Sequence, residues 1–266
     1  MPSHRNTVLL SLCLVTIITV VAATAPKQVT GQNDRNQKET SPPQGKSNSR
    51  PKAQIVRRQT VAEIEAESPS VDYNEPEEKD ATKRAKREAK NSRFDGKHMV
   101  QNNPSKGVSG TVLINDWEAG LPALPAAQSK VVVIGEVTDV QAHMSNDRNN
   151  VYSEFAVRVD EVLKNNTGTQ LATGSAIALE RQGGIVKHAP DYSIVYRIEG
   201  QGFPRKGRRY VFFLNPVGQE LDYTIVTGYE LRGSKVILLD TSSPFRVYEG
   251  VDEATFLNAV RDAIAN

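Results

Sequence analysis

Three regimes of hydrophobic and polar patterning follow one another along this 266-residue chain. Residues 8–25 are apolar apart from scattered small polar side chains and carry no charge. Residues 26–125 are rich in Gln, Asn, Ser, Lys, Glu and Pro, and their apolar side chains are mostly scattered singly. From Lys130 onward, short apolar stretches alternate with junctions bearing glycine or proline. The third regime predicts strands, the second a chain without a core, and the first a membrane-directed helix.

The strand pattern begins at residues 130–140. Four β-branched residues, Val131 to Ile134, lead into an alternation, which predicts a strand buried on both faces at one end. Gly135 in its middle marks a bulge or bend, and Asn146-Asp-Arg-Asn-Asn150 has the composition of a turn. Residues 151–163 alternate most clearly. Val151, Phe155, Val157, Val159 and Leu163 share one face, while Tyr152, Glu154, Arg158 and Asp160 share the other. This predicts a half-buried strand with a wet outer face, paired with its predecessor in a long antiparallel hairpin. Further strands are expected at residues 175–181, 193–198, 208–214, 221–227 and 234–239, separated by glycine and proline. Seven short strands predict an all-β fold, a closed antiparallel barrel or a sandwich rather than a parallel α/β sheet. A C-terminal helix follows. Asp252 caps it, and Phe256, Leu257, Val260 and Ile264 form the face that packs on the barrel.

The apolar run at 8–25 follows a leader holding His4 and Arg5, the arrangement that export machinery reads. Ala23-Thr24-Ala25 suits a signal peptidase, although Pro26 opposes cleavage there. The run is also about 27 Å long as a helix, enough to span a bilayer. Signal peptide and retained anchor both remain open, and either places the rest of the chain outside the cytoplasm, secreted, periplasmic or displayed on the membrane. Residues 26–125 then read as a disordered linker, because they bury too little to offset backbone entropy. The stretch 80–93 is a transient helix at most, since it has no apolar stripe to hold it down. Trp117 with Leu121 and Leu124 either docks on the domain or forms a short partner-binding motif. Charge separates the halves: residues 1–125 carry 18 Lys and Arg against 14 Asp and Glu, and the remainder 15 against 17. A near-neutral folded half argues against nucleic-acid binding.

The strings Val131-Val-Val-Ile-Gly-Glu-Val137, Phe155-Ala-Val-Arg-Val-Asp-Glu-Val-Leu-Lys164 and Gly207-Arg-Arg-Tyr-Val-Phe-Phe-Leu214 resemble, in this order, the netrin/TIMP-like domain. The resemblance covers residues 126–240 and extends to uncharacterised exported bacterial proteins. It implies an OB-type β-barrel. The metalloproteinase inhibitors of that family act through an N-terminal cysteine and are braced by disulfides. The sole cysteine here is Cys13, so the resemblance implies the fold without the inhibitory chemistry. The expected organisation is therefore a leader or anchor at 1–25, a linker at 26–125, a barrel at 126–250 and a packed helix at 251–266.

Candidate chemistry is sparse. His143 and His188, the histidines of the strand region, read as exposed and isolated, with no nucleophile elbow or paired ligand spacing beside them. Asp160 and Glu161 are neighbours on one strand and so face opposite ways. No catalytic residue, metal or cofactor is expected. The residues offered as a binding surface are Tyr192 and Phe203, an aromatic patch of the kind OB barrels use, with the cationic turn Arg205, Lys206, Arg208 and Arg209. The expectation is a monomeric, non-catalytic binding or scaffold module for a protein or glycan. Alternatives are a protease-inhibitor-like regulator acting through the barrel rim and a weak polyanion or single-strand binder.

Overall fold

Four consecutive β-branched residues need apolar neighbours on both sides of their strand, and the fold supplies a barrel interior on one side and a helix on the other. The computed structural model describes residues 68–76, 78–100, 110–114, 120–189, 192–218 and 221–266. The expected leader or anchor and Trp117 lie outside them. Among the described residues no helix is long and apolar enough to cross a membrane.

Strand β3 (Val131–Met144) pairs antiparallel with β4 (Val151–Asn165) along the long hairpin that the alternation implied. Its register shifts at Gly135, where a Cβ would lie 2.6 Å from a Val157 methyl and 2.8 Å from the Arg158 carbonyl oxygen. On their outer edges β4 receives β5 (Ala176–Gln182) and β3 receives β8 (Arg209–Pro216), both antiparallel. Strand β9 (Asp222–Arg232) runs antiparallel to β8 and, over three residues only, parallel to β5. That short joint turns β3-β4-β5-β9-β8 into a ring closed unevenly, and β10 (Lys235–Leu238) extends β9 beyond it. Val131 and Val133 lie in the ring's interior cluster with Phe155, Val157 and Phe212. Val132 and Ile134 lie in a second cluster with Phe213, Tyr229, Phe256 and Val260. The second cluster is covered by α2 (Glu253–Ala265), whose first turn is capped by the Asp252 carboxylate accepting from the backbone N–H of Ala254 (3.1 Å) and Thr255 (3.4 Å). The expected fold class, mostly β with a C-terminal helix, is the one observed.

A second sheet was not foreseen. Strands β6 (Gly184–Ala189) and β7 (Tyr192–Ile198) form an antiparallel pair flanked by β1 (Ser70–Asp72), parallel to β6, and β2 (Gly110–Ile114), parallel to β7. The chain turns from β5 into β6 at Gly183, which has φ +103° and would place a Cβ 2.6 Å from the Tyr196 carbonyl oxygen. Glycine is required at such a position. Around this sheet Val71, Met99, Val100, Val186, Tyr192, Ile194 and Tyr196 make a third core. Three-residue β1 and five-residue β2 carry little period-two signal of their own, and the edges of β6 and β7 make them strands.

The expected linker is therefore not uniformly loose. Its described part holds β1, β2 and the helix α1 (Ala81–Asn91), followed by a 3-10 turn (Ser92–Phe94). Residues 120–126 also dock: Leu121 and Leu124 pack on the second cluster, and the Tyr229 hydroxyl donates to the Ala123 carbonyl.

Candidate functional site

Helix α1 buries no residue and has no apolar stripe, yet it lies against the barrel. Charge holds it there. Arg87, Lys90 and Arg93, three residues apart, face carboxylates from three barrel strands. Arg87 reaches Glu154 of β4 at 3.3 Å. The Lys90 ammonium bridges Glu154 and Asp222 of β9, each at 2.9 Å. Arg93 pairs with Glu180 of β5. Glu154 and Glu180 stand directly opposite each other in the β4–β5 register. Like charges so placed repel, and the helix supplies the cations that offset them. Burial raises the Glu180 carboxyl above its ordinary range, against the opposing charges of Arg93 and Lys90. Burial pushes Glu154 the same way, but its hydrogen bond from Lys90 and the Arg87 and Lys90 charges outweigh it and hold that carboxyl low. Beneath the helix Tyr152 is fully buried, stacked on Phe94 with ring centroids 4.0 Å apart, and its hydroxyl donates to Asn91 Oδ1 at 2.8 Å. Alternation alone placed Tyr152 on a wet face. The helix that covers this face explains the difference.

The turn at the tip of the β3–β4 hairpin welds the far end of this segment to the barrel. Asp147 accepts from Ser145 Oγ (2.6 Å) and from the Gly96 (2.8 Å) and Asn149 (3.1 Å) backbone N–H groups, which holds its carboxyl well below the usual range. Asp95 accepts from the Asn146 N–H at 2.8 Å, and the Met99 and Val100 N–H groups donate to the Asn149 carbonyl.

Between this tip, β1 and the other flank of α1 lies an open cleft of about 670 Å³. Tyr73, Arg84, Asn91, Gln141, Asn146 and Arg148 give it planar polar groups, and Val71 and Met144 give it apolar ones. Arg148 takes a left-handed backbone conformation (φ +56°), donates to the Tyr73 carbonyl and sits 5.7 Å from the Tyr73 ring centre. Such a conformation costs about 1–3 kcal/mol outside glycine, and here it accompanies a guanidinium that lines the cleft beside Tyr73.

His143 also lines the cleft, on β3 rather than in an exposed loop. Its ring is 5.4 Å from Tyr152, and its buried Nε2 has no hydrogen-bond partner among the described residues. Burial, reinforced by the Arg87 charge, lowers its pKa to about 4, so the imidazole is neutral at neutral pH. As pH falls from 6.5 to about 4, the unfolded chain takes up a proton at this site and the folded chain refuses it, so stability falls across that window. His143→Gln removes this contribution. Urea midpoints of the two proteins should converge on acidification, by on the order of 2–3 kcal/mol between neutral pH and pH 4. Parallel pH curves would refute the assignment. His188 likewise sits on a strand, β6, between the rings of Tyr73 (5.0 Å) and Tyr192 (5.4 Å), and burial lowers its pKa.

The residues expected to form a binding surface are not gathered into one. Tyr192 is buried in the third core and Phe203 packs against the barrel interior. The cationic turn is exposed but paired with carboxylates: Lys206 with Asp139 at 3.0 Å, Arg209 with Asp160 at 3.2 Å and Glu253 at 3.1 Å, and Arg208 with Glu230 at 3.9 Å. The Arg205 N–H donates to the Tyr210 hydroxyl at 3.0 Å. Asp160 and Glu161 do not face opposite ways as alternation implied: the β3–β4 register shifts there, Val159 and Val162 both turn to the interior cluster, and the two carboxylates pair with Arg209 and Arg261, each at 3.2 Å. Sequence reasoning missed the α1 contacts. Two signals pointed to them: cations recurring every third residue from Arg87 to Arg93, and acidic residues inside otherwise apolar strands. Neither a family model nor a curated protein matches this sequence.

Proposed function

We propose that this chain is a non-catalytic recognition module, an OB-type barrel of the netrin/TIMP-like kind acting outside the cytoplasm, and that it binds a protein or glycan partner in the cleft beside the β3–β4 tip. Five strands in an unevenly closed ring support the OB reading, and in such barrels the loop joining the first two strands contributes to ligand binding. The cleft itself carries the proposal. It is open, combines apolar patches with planar amide and guanidinium groups, and borders that first loop. The cationic turn is a weaker candidate because carboxylates already engage Lys206, Arg208 and Arg209.

Arrays of oligosaccharides and extended peptides probed with the full chain test this reading. A ligand found there should bind at least about tenfold more weakly to Gln141→Ala/Arg148→Ala, a loss of about 1.4 kcal/mol. Arg205→Ala/Lys206→Ala should bind it as the parent does. The reverse pattern would move the site to the turn and overturn the assignment.

A further inference from the structure

Helix α1 is one wall of the cleft, through Arg84, Arg87, Glu88 and Asn91, and it buries no residue of its own, so ion pairs make up much of its hold on the barrel. Both of its ends are tied. On the N-terminal side β1 pairs with β6, and on the C-terminal side Met99 and Val100 are buried and bonded to Asn149. Between these ties lie four cation–carboxylate links, the Phe94–Tyr152 stack and a few polar hydrogen bonds, among them Tyr152 hydroxyl to Asn91 (2.8 Å) and Asn146 Nδ2 to the Glu88 carbonyl (3.0 Å). The segment 78–97 carries eight Lys and Arg against four Asp and Glu, whereas residues 126–266 carry an excess of acid.

We propose that α1 is a charge-latched strap: when a linear polyanion competes for its cations, the helix lifts off the barrel between its two ties, removes one wall of the cleft and uncovers Tyr152. The latch suits such control because its bonds are electrostatic, while the three apolar cores do not depend on them. Once lifted, the helix offers Arg87, Lys90 and Arg93 together with the outward Lys79, Lys83 and Lys97 to the polymer. The strip left behind, Glu154, Glu180 and Asp222, repels itself and favours re-latching as soon as the competitor leaves. The ties keep the helix at a high effective concentration near that strip, so release is local and reversible.

Hydrogen exchange of the full chain, followed by mass spectrometry, tests the strap. Raising sodium chloride from about 0.01 M to about 1 M shrinks the screening length from about 30 Å to 3 Å. Exchange of the α1 amides should then accelerate at least about tenfold, with strands β3 to β9 unchanged within about twofold. Long-chain polyphosphate at low salt should reproduce the effect. Lys90→Gln/Arg93→Gln should show it without either. Nitration of Tyr152 by tetranitromethane should follow the same order, from slow in the latched protein to fast in the variant. Exchange of α1 that ignores salt, or that rises only together with the barrel strands, would overturn the strap. Polyphosphate failing where sodium chloride succeeds would overturn the polyanion as its trigger.

Discussion

Replacing Asp240 by Ala is expected to destabilise the protein by about 3–5 kcal/mol, the cost of leaving a buried charge without its partner. Asp240 is fully buried and Arg181 nearly so. The two carboxylate oxygens of Asp240 accept from Arg181 Nη1 at 2.6 Å and Nη2 at 3.1 Å, from the Gly202 N–H at 3.0 Å and from Thr227 Oγ1 at 2.8 Å. This one side chain thereby joins β5, β9 and the segments that follow β7 and β10. The approach is close enough that a Cβ on Gly202 would stand 2.1 Å from the Leu239 carbonyl oxygen. Loss of the carboxylate strands the guanidinium, the Thr227 hydroxyl and a backbone donor together. Arg181→Met in the same chain should restore part of the loss, because it removes the stranded charge while leaving three neutral groups unpaired, the Thr227 hydroxyl and the Gly202 N–H and carbonyl. Urea unfolding of the three proteins measures this. A single-variant cost below about 1 kcal/mol would show that water reaches the pair and that it is not a staple.

Phe256→Ala should cost a similar amount, about 3–5 kcal/mol. The ring is fully buried, with centroids 4.8 Å from Tyr229 and 5.2 Å from Tyr248. With Val260 it carries α2 into the second cluster that holds Val132 and Ile134. Truncation opens a void at the helix–barrel contact, so α2 amides should also exchange faster than those of β3 and β4. Leu257, only partly buried on the same helix, should lose no more than about 1 kcal/mol when cut to Ala. Equal effects at the two positions would mean that the helix rests loosely on the barrel.

The legible part of this fold is the part whose pattern is local. Period-two alternation placed β4 and the hairpin because the inside and outside of a barrel strand differ at successive residues. The Val131 to Ile134 run implied two buried faces, and both exist. Asp252 and the Phe256–Val260 spacing announced α2. By contrast β1, β2 and β6 are strands through the partners they find. His143 and His188 look alike in sequence, yet His188 is held between Tyr73 and Tyr192 on the second sheet, whereas His143 stands opposite Tyr152 in the hairpin and is half-buried. Tyr192, at the start of β7, and Phe203, in the connection before β8, read as a surface patch because an aromatic at a strand end or in a loop suits either side.

Alternation, turn composition and capping thus determined by themselves a mostly β domain with a helix at its end, because each is a property of residues a few positions apart. Tertiary structure alone decided that a helix with no apolar stripe would lie still on the barrel, and that a cleft would open beside it. The reason is that Lys90 and Arg93 relieve the Glu154–Glu180 repulsion from more than sixty positions away in sequence, at spacings that no local period records.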